Sequence, residues 1–275
     1  MQFLNNIFIW MKSYKNDIGI NLIAGMLASI IVLTLQIFVK SISIMLVSFF
    51  ELKWKLRILW QINKPKRLYI VSGAIEGVSE YVKSVVLAGA DAEAANTLIG
   101  TTGLLFPETE IRHVYSSYFV KEFYKEHLII VGGPINNSCT AAAFEFLMED
   151  ISFSKDFEMV VDGLKFETIY DKKNNPIKDY GAVIRTNNPF DSTKDILLVV
   201  GCDTYGVLAA AMLISSMPDA KLARKLLYKK LGLKRYFFKQ NFIAIVGCNV
   251  LGNNIGDISL RYFKKLKIEK NERVK

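Results

Sequence analysis

Cysteine and histidine are scarce in this sequence, and their scarcity excludes several kinds of site. The 275 residues include three cysteines and two histidines, without the CxxC or histidine-rich spacings that hold zinc. A disulfide framework and a metal site are therefore not expected. The cysteines are interpreted as small apolar core residues in a reducing compartment.

The sequence also lacks the recognised phosphate-binding loops. GAIEG (residues 73–77) and GCDTYG (residues 201–206) have neither the spacing of GxGxxG nor the Lys-Ser/Thr of a Walker sequence. No named cofactor is predicted for this reason. The interpretation leaves open whether the protein is an enzyme.

Catalysis by a histidine base has little support from the sequence. Neither His113 nor His127 is predicted at the carboxyl end of a strand, where active sites of open α/β sheets lie. Cys202 is the best-placed candidate nucleophile, although packing in the core is the favoured interpretation of this residue. Glu76 and Asp203 are the candidate carboxylate pair.

Charge is distributed very unevenly along the chain. Residues 1–67 hold nine Lys/Arg against two Asp/Glu, a balance of +7, whereas residues 68–220 hold eleven against twenty-one, a balance of −10. Residues 221–275 hold fifteen against three, a balance of +12. The acidic central block argues against a groove for duplex nucleic acid. The basic last block suits anionic lipid headgroups, a phosphorylated ligand or the acidic block itself.

Charged residues are absent from residues 18–39, and this absence predicts a transmembrane helix. Twenty-two helical residues span about 33 Å, enough for a hydrocarbon core of about 30 Å. Residues 1–17 are then an N-terminal extramembrane segment. Two basic residues precede the span and seven follow it within residues 40–67, which predicts a single-pass protein of the inner or plasma membrane with a cytoplasmic C-terminal domain.

Small residues recur at helical spacing within this predicted span. Ala24 and Ala28 form one small-xxx-small pair, and Gly25 and Ser29 form another. Such pairs allow helices to approach closely, so a homo-oligomer is predicted. The alternative is that glycine and alanine are simply common in membrane helices.

Residues 40–66 are interpreted as an interfacial segment and linker. Charged and apolar residues alternate from Glu51 to Ile58, which favours a position on the membrane surface, with Trp54 and Trp60 at headgroup level. The residues NKPK at 63–66 are typical of a linker. A second membrane-inserted segment within residues 42–60 is the alternative.

The remainder, residues 67–275, is predicted to be a Rossmann-like α/β domain. Four apolar runs end in glycine: LYIVSG at 68–73, LIIVGG at 128–133, ILLVVG at 196–201 and FIAIVG at 242–247. The first three are followed by apolar and small residues at helical spacing, which predicts a mainly parallel sheet. Residues 157–190 favour antiparallel strands instead, so a mixed sheet is the alternative.

A ligand crevice is predicted at the carboxyl ends of these strands. Glycine there allows a sharp turn and brings backbone N–H groups close to a bound anion. The predicted ligand-binding residues are Ser72, Gly73, Glu76, Gly132, Gly133, Asn136, Asn137, Gly201, Asp203, Thr204 and Gly206, with Arg185, Asn187 and Asn188 on a loop across from them. The alternative for the asparagines and Thr204 is helix capping.

Three fragments carry a resemblance to a known family. LIIVGGPINN, YGAVIRTNNPF and LLVVGCDTYGVLAAAMLI resemble a Rossmann-like domain of prokaryotic ligand-sensing proteins. With the N-terminal span, the layout is similar to membrane effectors of antiviral signalling, in which a cytoplasmic CARF-type domain binds a cyclic oligonucleotide and the membrane part perturbs the bilayer. The resemblance implies a small anionic ligand, such as a cyclic oligonucleotide, and a lipid bilayer as partners.

These observations lead to three hypotheses for the function. The first is a membrane-anchored effector whose α/β domain senses a small anionic ligand, a nucleotide above all, and signals to the helix. The second is a membrane-tethered enzyme that acts on a nucleotide or glycoside. The third is a membrane scaffold that docks a cytosolic partner through its basic tail.

Overall fold

The computed structural model divides the chain into two compact units, Met1–Leu52 and Lys53–Lys275. It describes residues 2–63, 65–73, 75–78, 83–86, 89–147, 150–154, 158–232 and 238–266. In the first unit the structure describes the side chains of residues 5, 6, 9, 12, 26, 29–43, 46 and 50–52.

One helix, α1 (Gln2–Trp60), includes every described residue of the first unit. It includes all of the predicted span, residues 18–39, although the side chains of residues 18–25, 27 and 28 lie outside the described part. Eight apolar side chains between Ile30 and Val39 are each 54% to 65% exposed. Thr34 and Ser41 donate hydrogen bonds to carbonyls one turn earlier, so their hydroxyls are satisfied within the helix.

Length and composition together decide whether a helix can cross a membrane. Among the described residues, no single helix is both long enough and apolar enough to do so. One pair of helices meets the requirement only when taken together, namely Thr204–Leu213 and Pro218–Leu231, whose axes are bent by 79°. A shorter apolar stretch is Ser29–Ser43.

The second unit is an α/β domain. Its described helices after α1 are α2 (Gly89–Leu105), α3 (Ser138–Phe144), α4 (Thr204–Leu213) and α5 (Lys221–Leu231). Its described strands are β1 (Arg67–Ser72), β2 (Ile75–Val78), β3 (Lys83–Val86), β4 (Glu110–Tyr115), β5 (His127–Val131), β6 (Ser152–Phe153), β7 (Met159–Val161), β8 (Leu164–Phe166), β9 (Ile169–Tyr170), β10 (Pro176–Asn187), β11 (Asp195–Gly201), β12 (Phe242–Leu251) and β13 (Asn254–Lys265).

The main sheet has a parallel centre and an antiparallel side. Its order is β13-β12-β10-β11-β5-β1-β4, with β9 beside β10. The strands β4, β1, β5 and β11 are parallel, whereas β10, β12 and β13 pair antiparallel with their neighbours. The prediction of a mixed α/β domain built on parallel strands is confirmed, and the mixed sheet is the alternative that holds.

Helices pack on both faces of the sheet. Successive strand residues point to opposite faces, so each strand contributes apolar side chains to both cores. Tyr69 and Val71 of β1 pack in one core with Cys139 and Phe144 of α3. Helices α2 and α4 contact each other and the strands on the other face. The chain leaves β1 through α2 towards β4 and leaves β5 through α3, so the boundary between β1 and β5 is a topological switch point, where open α/β sheets bind ligands.

The end of α1 belongs to the α/β unit. Leu56, Leu59 and Trp60 are fully buried there, and the Trp60 indole donates a hydrogen bond of 2.7 Å to the carbonyl of Ile214. The prediction that Trp60 lies at headgroup level is therefore wrong, because its whole ring is packed in the core of the domain. Trp54, by contrast, is exposed.

Candidate functional site

Glycines form a row at the carboxyl ends of three adjacent parallel strands. Gly73 follows β1, Gly132 and Gly133 follow β5, and Gly201 ends β11. The backbone N–H of Gly73 donates to Val131, and that of Gly132 donates to Val199. A Cβ on Gly73 would lie 2.8 Å from the carbonyl of Asn136, so the turn after β5 closes directly over the end of β1.

Within this row, Gly132 and Gly133 are the two with open surroundings. Gly132 has a φ of +106°, a conformation that favours glycine. Gly133 would bring a Cβ no nearer than 3.5 Å to the carbonyl of Gly201. Among the described residues the backbone N–H of Gly133 has no hydrogen-bond partner. A ligand oxygen can therefore be bound here.

Gly201 and Gly206 have a packing role instead. A Cβ on Gly201 would lie 2.4 Å from the nitrogen of Val207, and a Cβ on Gly206 would lie 2.0 Å from the carbonyl of Tyr180. These contacts press the first turn of α4 onto β10 and β11. The two glycines are needed for this close approach, and they shape the site without facing a ligand.

The two neighbouring asparagines differ in role. Asn137 is fully buried and caps α3, because its side-chain oxygen accepts from Cys139 and Thr140 while its amide donates to Val71 and Val131. All its hydrogen-bonding capacity is used, which leaves nothing for a ligand. Asn136 is exposed at the turn.

Arg185, Asn187 and Asn188 do not join this site. Because β10 runs antiparallel to β11, its C-terminal end lies at the amino ends of the parallel strands, on the opposite edge of the sheet. Arg185 pairs there with Asp195 at 2.8 Å, and Asn188 donates to two backbone carbonyls. Their predicted place across from the crevice is wrong for this reason.

A Ser–His pair, which the sequence did not reveal, lies at the edge of the site. Ser72 ends β1, and its hydroxyl is 2.9 Å from the Nε2 atom of His113 on the neighbouring strand β4. Desolvation lowers the pKa of His113, which favours the neutral imidazole. In the tautomer that carries its proton on Nδ1, Nε2 accepts the hydroxyl proton of Ser72. Only the order and register of β1 and β4 bring these residues together.

Three aspartates surround the start of α4 on the other side of the glycine row. Asp203 caps the helix by accepting from the N–H of Thr204 at 2.7 Å. Asp179 is fully buried and accepts from the N–H groups of Asp203 and Gly206. Asp91 comes from the first turn of α2. Of these, only Asp203 was singled out by the sequence.

Two of these carboxylates are largely buried, and burial raises their pKa values. Burial raises the pKa of Asp91 to about 6, against the opposite effect of the neighbouring Thr204 hydroxyl, and raises the pKa of Asp179 to about 6. Within the described chain, Asp91 Oδ1 and Thr204 Oγ1 are buried beside each other and have no other hydrogen-bond partner. A carboxylate and a hydroxyl can each make more than this one hydrogen bond. The corner between α2 and α4 therefore favours a ligand with hydrogen-bond donors and acceptors.

Cys202 contributes no reactive group to the described site. Burial raises the pKa of Cys202 to about 12, so its thiol is not an activated nucleophile. Glu76 lies in β2, and its side chain lies outside the described part of the chain. In that described part, no group of three or more His, Cys, Asp or Glu residues is arranged to hold a metal ion.

Comparison with known proteins leaves the site to be interpreted from its own chemistry. No protein-family model matches the chain, and no curated protein matches it. The interpretation therefore depends on the glycine row, the Ser72–His113 pair and the Asp91–Thr204 corner.

Proposed function

We propose that this protein is a membrane-anchored effector whose α/β unit binds a nucleotide at the carboxyl edge of its parallel strands and signals to α1. The unit is Rossmann-like in this proposal, and its four parallel strands in the order β4-β1-β5-β11 support that description. The observation that carries the proposal is the buried pair of Asp91 and Thr204 oxygens at the start of α4, which have no hydrogen-bond partner but each other among the described residues.

The chemistry of the site favours a nucleotide over a simple anion. Carboxylates repel phosphate, so the Asp91 and Asp203 side of the site suits the hydroxyls of a sugar or the amino group of a base. The phosphate belongs on the other side, where Gly133 offers a backbone N–H and Asn136 an exposed amide. A cyclic oligonucleotide, which the sequence resemblance implies, presents both kinds of group.

The membrane part of the proposal is supported by α1. Eight exposed apolar side chains lie within Ile30–Val39, and apolar residues on all sides of a helix are typical of a buried or membrane-spanning segment. The C-terminal α/β unit is cytoplasmic in this proposal because basic residues are concentrated after the span. Self-association through the small residues of α1 would couple ligand binding to the bilayer, provided that the ligand binds two states with different affinity.

A conservative substitution tests the ligand site. We expect Thr204→Val to weaken nucleotide binding about tenfold, because a lost hydrogen bond of about 1.4 kcal/mol corresponds to that factor. Thermal shift of the detergent-solubilised full chain against a panel of cyclic and linear oligonucleotides measures the effect. Thr97→Val in α2 is the control. A panel in which no nucleotide raises the melting temperature of the wild type contradicts the proposal.

The membrane output is tested separately. Dye-loaded vesicles that contain the full chain should leak when the binding nucleotide is added, and Thr204→Val should require about ten times more nucleotide for the same leakage. A full chain that stays in the supernatant after cell fractionation without detergent overturns the membrane anchoring.

A second candidate function, hydrolysis, is favoured by the Ser72–His113 pair. In such a reaction Ser72 Oγ attacks the ester carbon or phosphorus while His113 Nε2 takes its proton and passes it to the leaving group. Water then releases the product and restores the hydroxyl. This arrangement would make the protein a membrane-tethered enzyme.

Ester and phosphodiester hydrolysis by the purified full chain tests this function. We expect Ser72→Ala and His113→Gln each to lower the rate by at least about 100-fold, the usual contribution of a positioned base. Ser138→Ala, at the exposed start of α3, should leave it unchanged. Equal rates in the wild type and in Ser72→Ala would remove this candidate.

A further inference from the structure

Helix α5 presents an exposed face that is both basic and apolar. Leu222 and Leu226 are 75% and 49% exposed and lie one turn apart, so their side chains are neighbours on the surface. Four exposed lysines surround them, namely Lys221, Lys225, Lys229 and Lys230. The helix contains no acidic residue. The opposite face, with Ala223, Leu227 and Leu231, is buried against the domain.

The one arginine of α5 is directed inward. Arg224 donates hydrogen bonds to the backbone carbonyls of Leu213, Met212 and Met217. It is therefore not available to bind phosphate or base edges in the bidentate way that nucleic-acid interfaces use. Exposed leucines at the centre of a lysine cluster instead match a bilayer surface, where apolar side chains enter the acyl boundary and ammonium groups meet anionic headgroups.

The position of α5 in the domain agrees with this partner. Its C-terminal carbonyl, that of Leu231, accepts a hydrogen bond from Lys265. Lys265 is paired with Phe242, Phe242 with Arg185, and Arg185 donates to the carbonyl of Trp60. Helix α5 thus ends at the edge of the sheet where the chain from α1 enters the domain. This edge is opposite the candidate ligand site.

We propose that the lysine–leucine face of α5 docks on an anionic lipid surface, so that the α/β unit contacts the membrane in addition to being tethered to it. The inference rests on the proposed membrane anchoring of α1. Docking is governed by charge: each lysine near an anionic surface contributes about 1 kcal/mol, which corresponds to about a fivefold change in the docked population.

A fluorophore on α5 tests the docking in the full chain. Leu222→Cys is labelled with an environment-sensitive nitrobenzoxadiazole, because the native cysteines are buried, and the protein is reconstituted into vesicles. We expect blue-shifted emission in phosphatidylcholine vesicles that contain about 30% phosphatidylglycerol, and water-like emission in pure phosphatidylcholine. Lys225→Gln with Lys229→Gln should lower the docked population about 25-fold. Lys172→Gln with Lys173→Gln, equal in charge and in an exposed turn elsewhere, should leave it unchanged.

Several outcomes overturn the docking. Water-like emission in both lipid mixtures, or an equal blue shift in both, contradicts a charge-dependent membrane contact. A shift that depends on the protein-to-lipid ratio indicates a second copy as the partner, and a shift induced by RNA without vesicles indicates nucleic acid. Resistance of the same protein to alkaline carbonate extraction measures the anchoring of α1 independently, so failure of the tether is distinguished from failure of the docking.

Discussion

Replacing Arg185 with alanine is expected to lower the free energy of unfolding by about 3–5 kcal/mol, the loss typical of breaking a buried ion pair. Arg185 is fully buried and remains charged, since burial lowers its pKa only to about 10. Its guanidinium donates to the carboxylate of Asp195 and the side chain of Asn241. It also donates to the carbonyls of Trp60 and Gln61, at the end of α1.

The loss arises mainly from the groups that Arg185 leaves behind. Asp195 keeps Lys239 as an ion-pair partner, but the carbonyl of the fully buried Trp60 would lose this donor. An unsatisfied helix terminus is costly because its last carbonyls have no partner within the helix. Arg185→Ala should therefore loosen the end of α1 first.

Chemical denaturation of the full chain in detergent, followed by tryptophan fluorescence, measures the effect because Trp60 lies beside the substitution. Arg67→Ala is the matched control, since Arg67 forms an exposed ion pair with Glu110 and exposed pairs contribute little. A denaturation midpoint of Arg185→Ala equal to that of Arg67→Ala would show that the buried cluster does not hold the helix end.

Gly206→Ala is expected to destabilise the domain by about 3 kcal/mol or more, because overpacking at a rigid contact forces backbone shifts. The added Cβ would lie 2.0 Å from the carbonyl of Tyr180, and the opposing Gly181 is equally close to α4. Neither neighbour can move as a flexible side chain would. The start of α4 would have to leave β10 and take Asp203 and Thr204 with it.

The same substitution elsewhere provides the control. Gly100 lies within α2, and outside the backbone of its own helix no described heavy atom lies within 4 Å of an added Cβ. Gly100→Ala should raise the free energy of unfolding by up to about 1 kcal/mol, because alanine is the better helix former. Thermal unfolding of both variants, together with nucleotide binding, checks the prediction. Equal melting temperatures for the two variants would mean that α4 is not pressed onto the sheet.

Much of the fold could be predicted from local patterns in the sequence. The apolar runs that end in glycine at Gly73, Gly133 and Gly201 were recognisable as strands, because a buried strand needs a continuous run of apolar residues and an abrupt turn. The three glycines lie at the same end of the sheet because the three strands that precede them are parallel. The turn-rich composition of residues 157–190 also indicated the antiparallel pairing that the structure shows for β7 to β10.

Residues that meet through strand order were not recognisable in this way. His113 reaches Ser72 because β4 lies beside β1 in register, and Asp179 reaches Asp203 because β10 packs under α4. No local pattern indicates either neighbour. Asn137 illustrates the opposite case, since its residue type is equally suited to a ligand or a helix cap, and only its four hydrogen bonds decide between them.

The sequence by itself determined the strands, their glycine turns, the apolar stretch at residues 18–39 and the uneven charge, since these depend on neighbouring residues. Tertiary structure alone decided that Arg185 holds the end of α1 rather than a ligand, and that Trp60 belongs to the core. The physical reason is the direction of the strands. Strand β10 runs antiparallel to β11, which places Arg185 at the amino ends of the parallel strands. Strand direction depends on how the whole sheet pairs, through hydrogen bonds and burial between residues far apart in the chain.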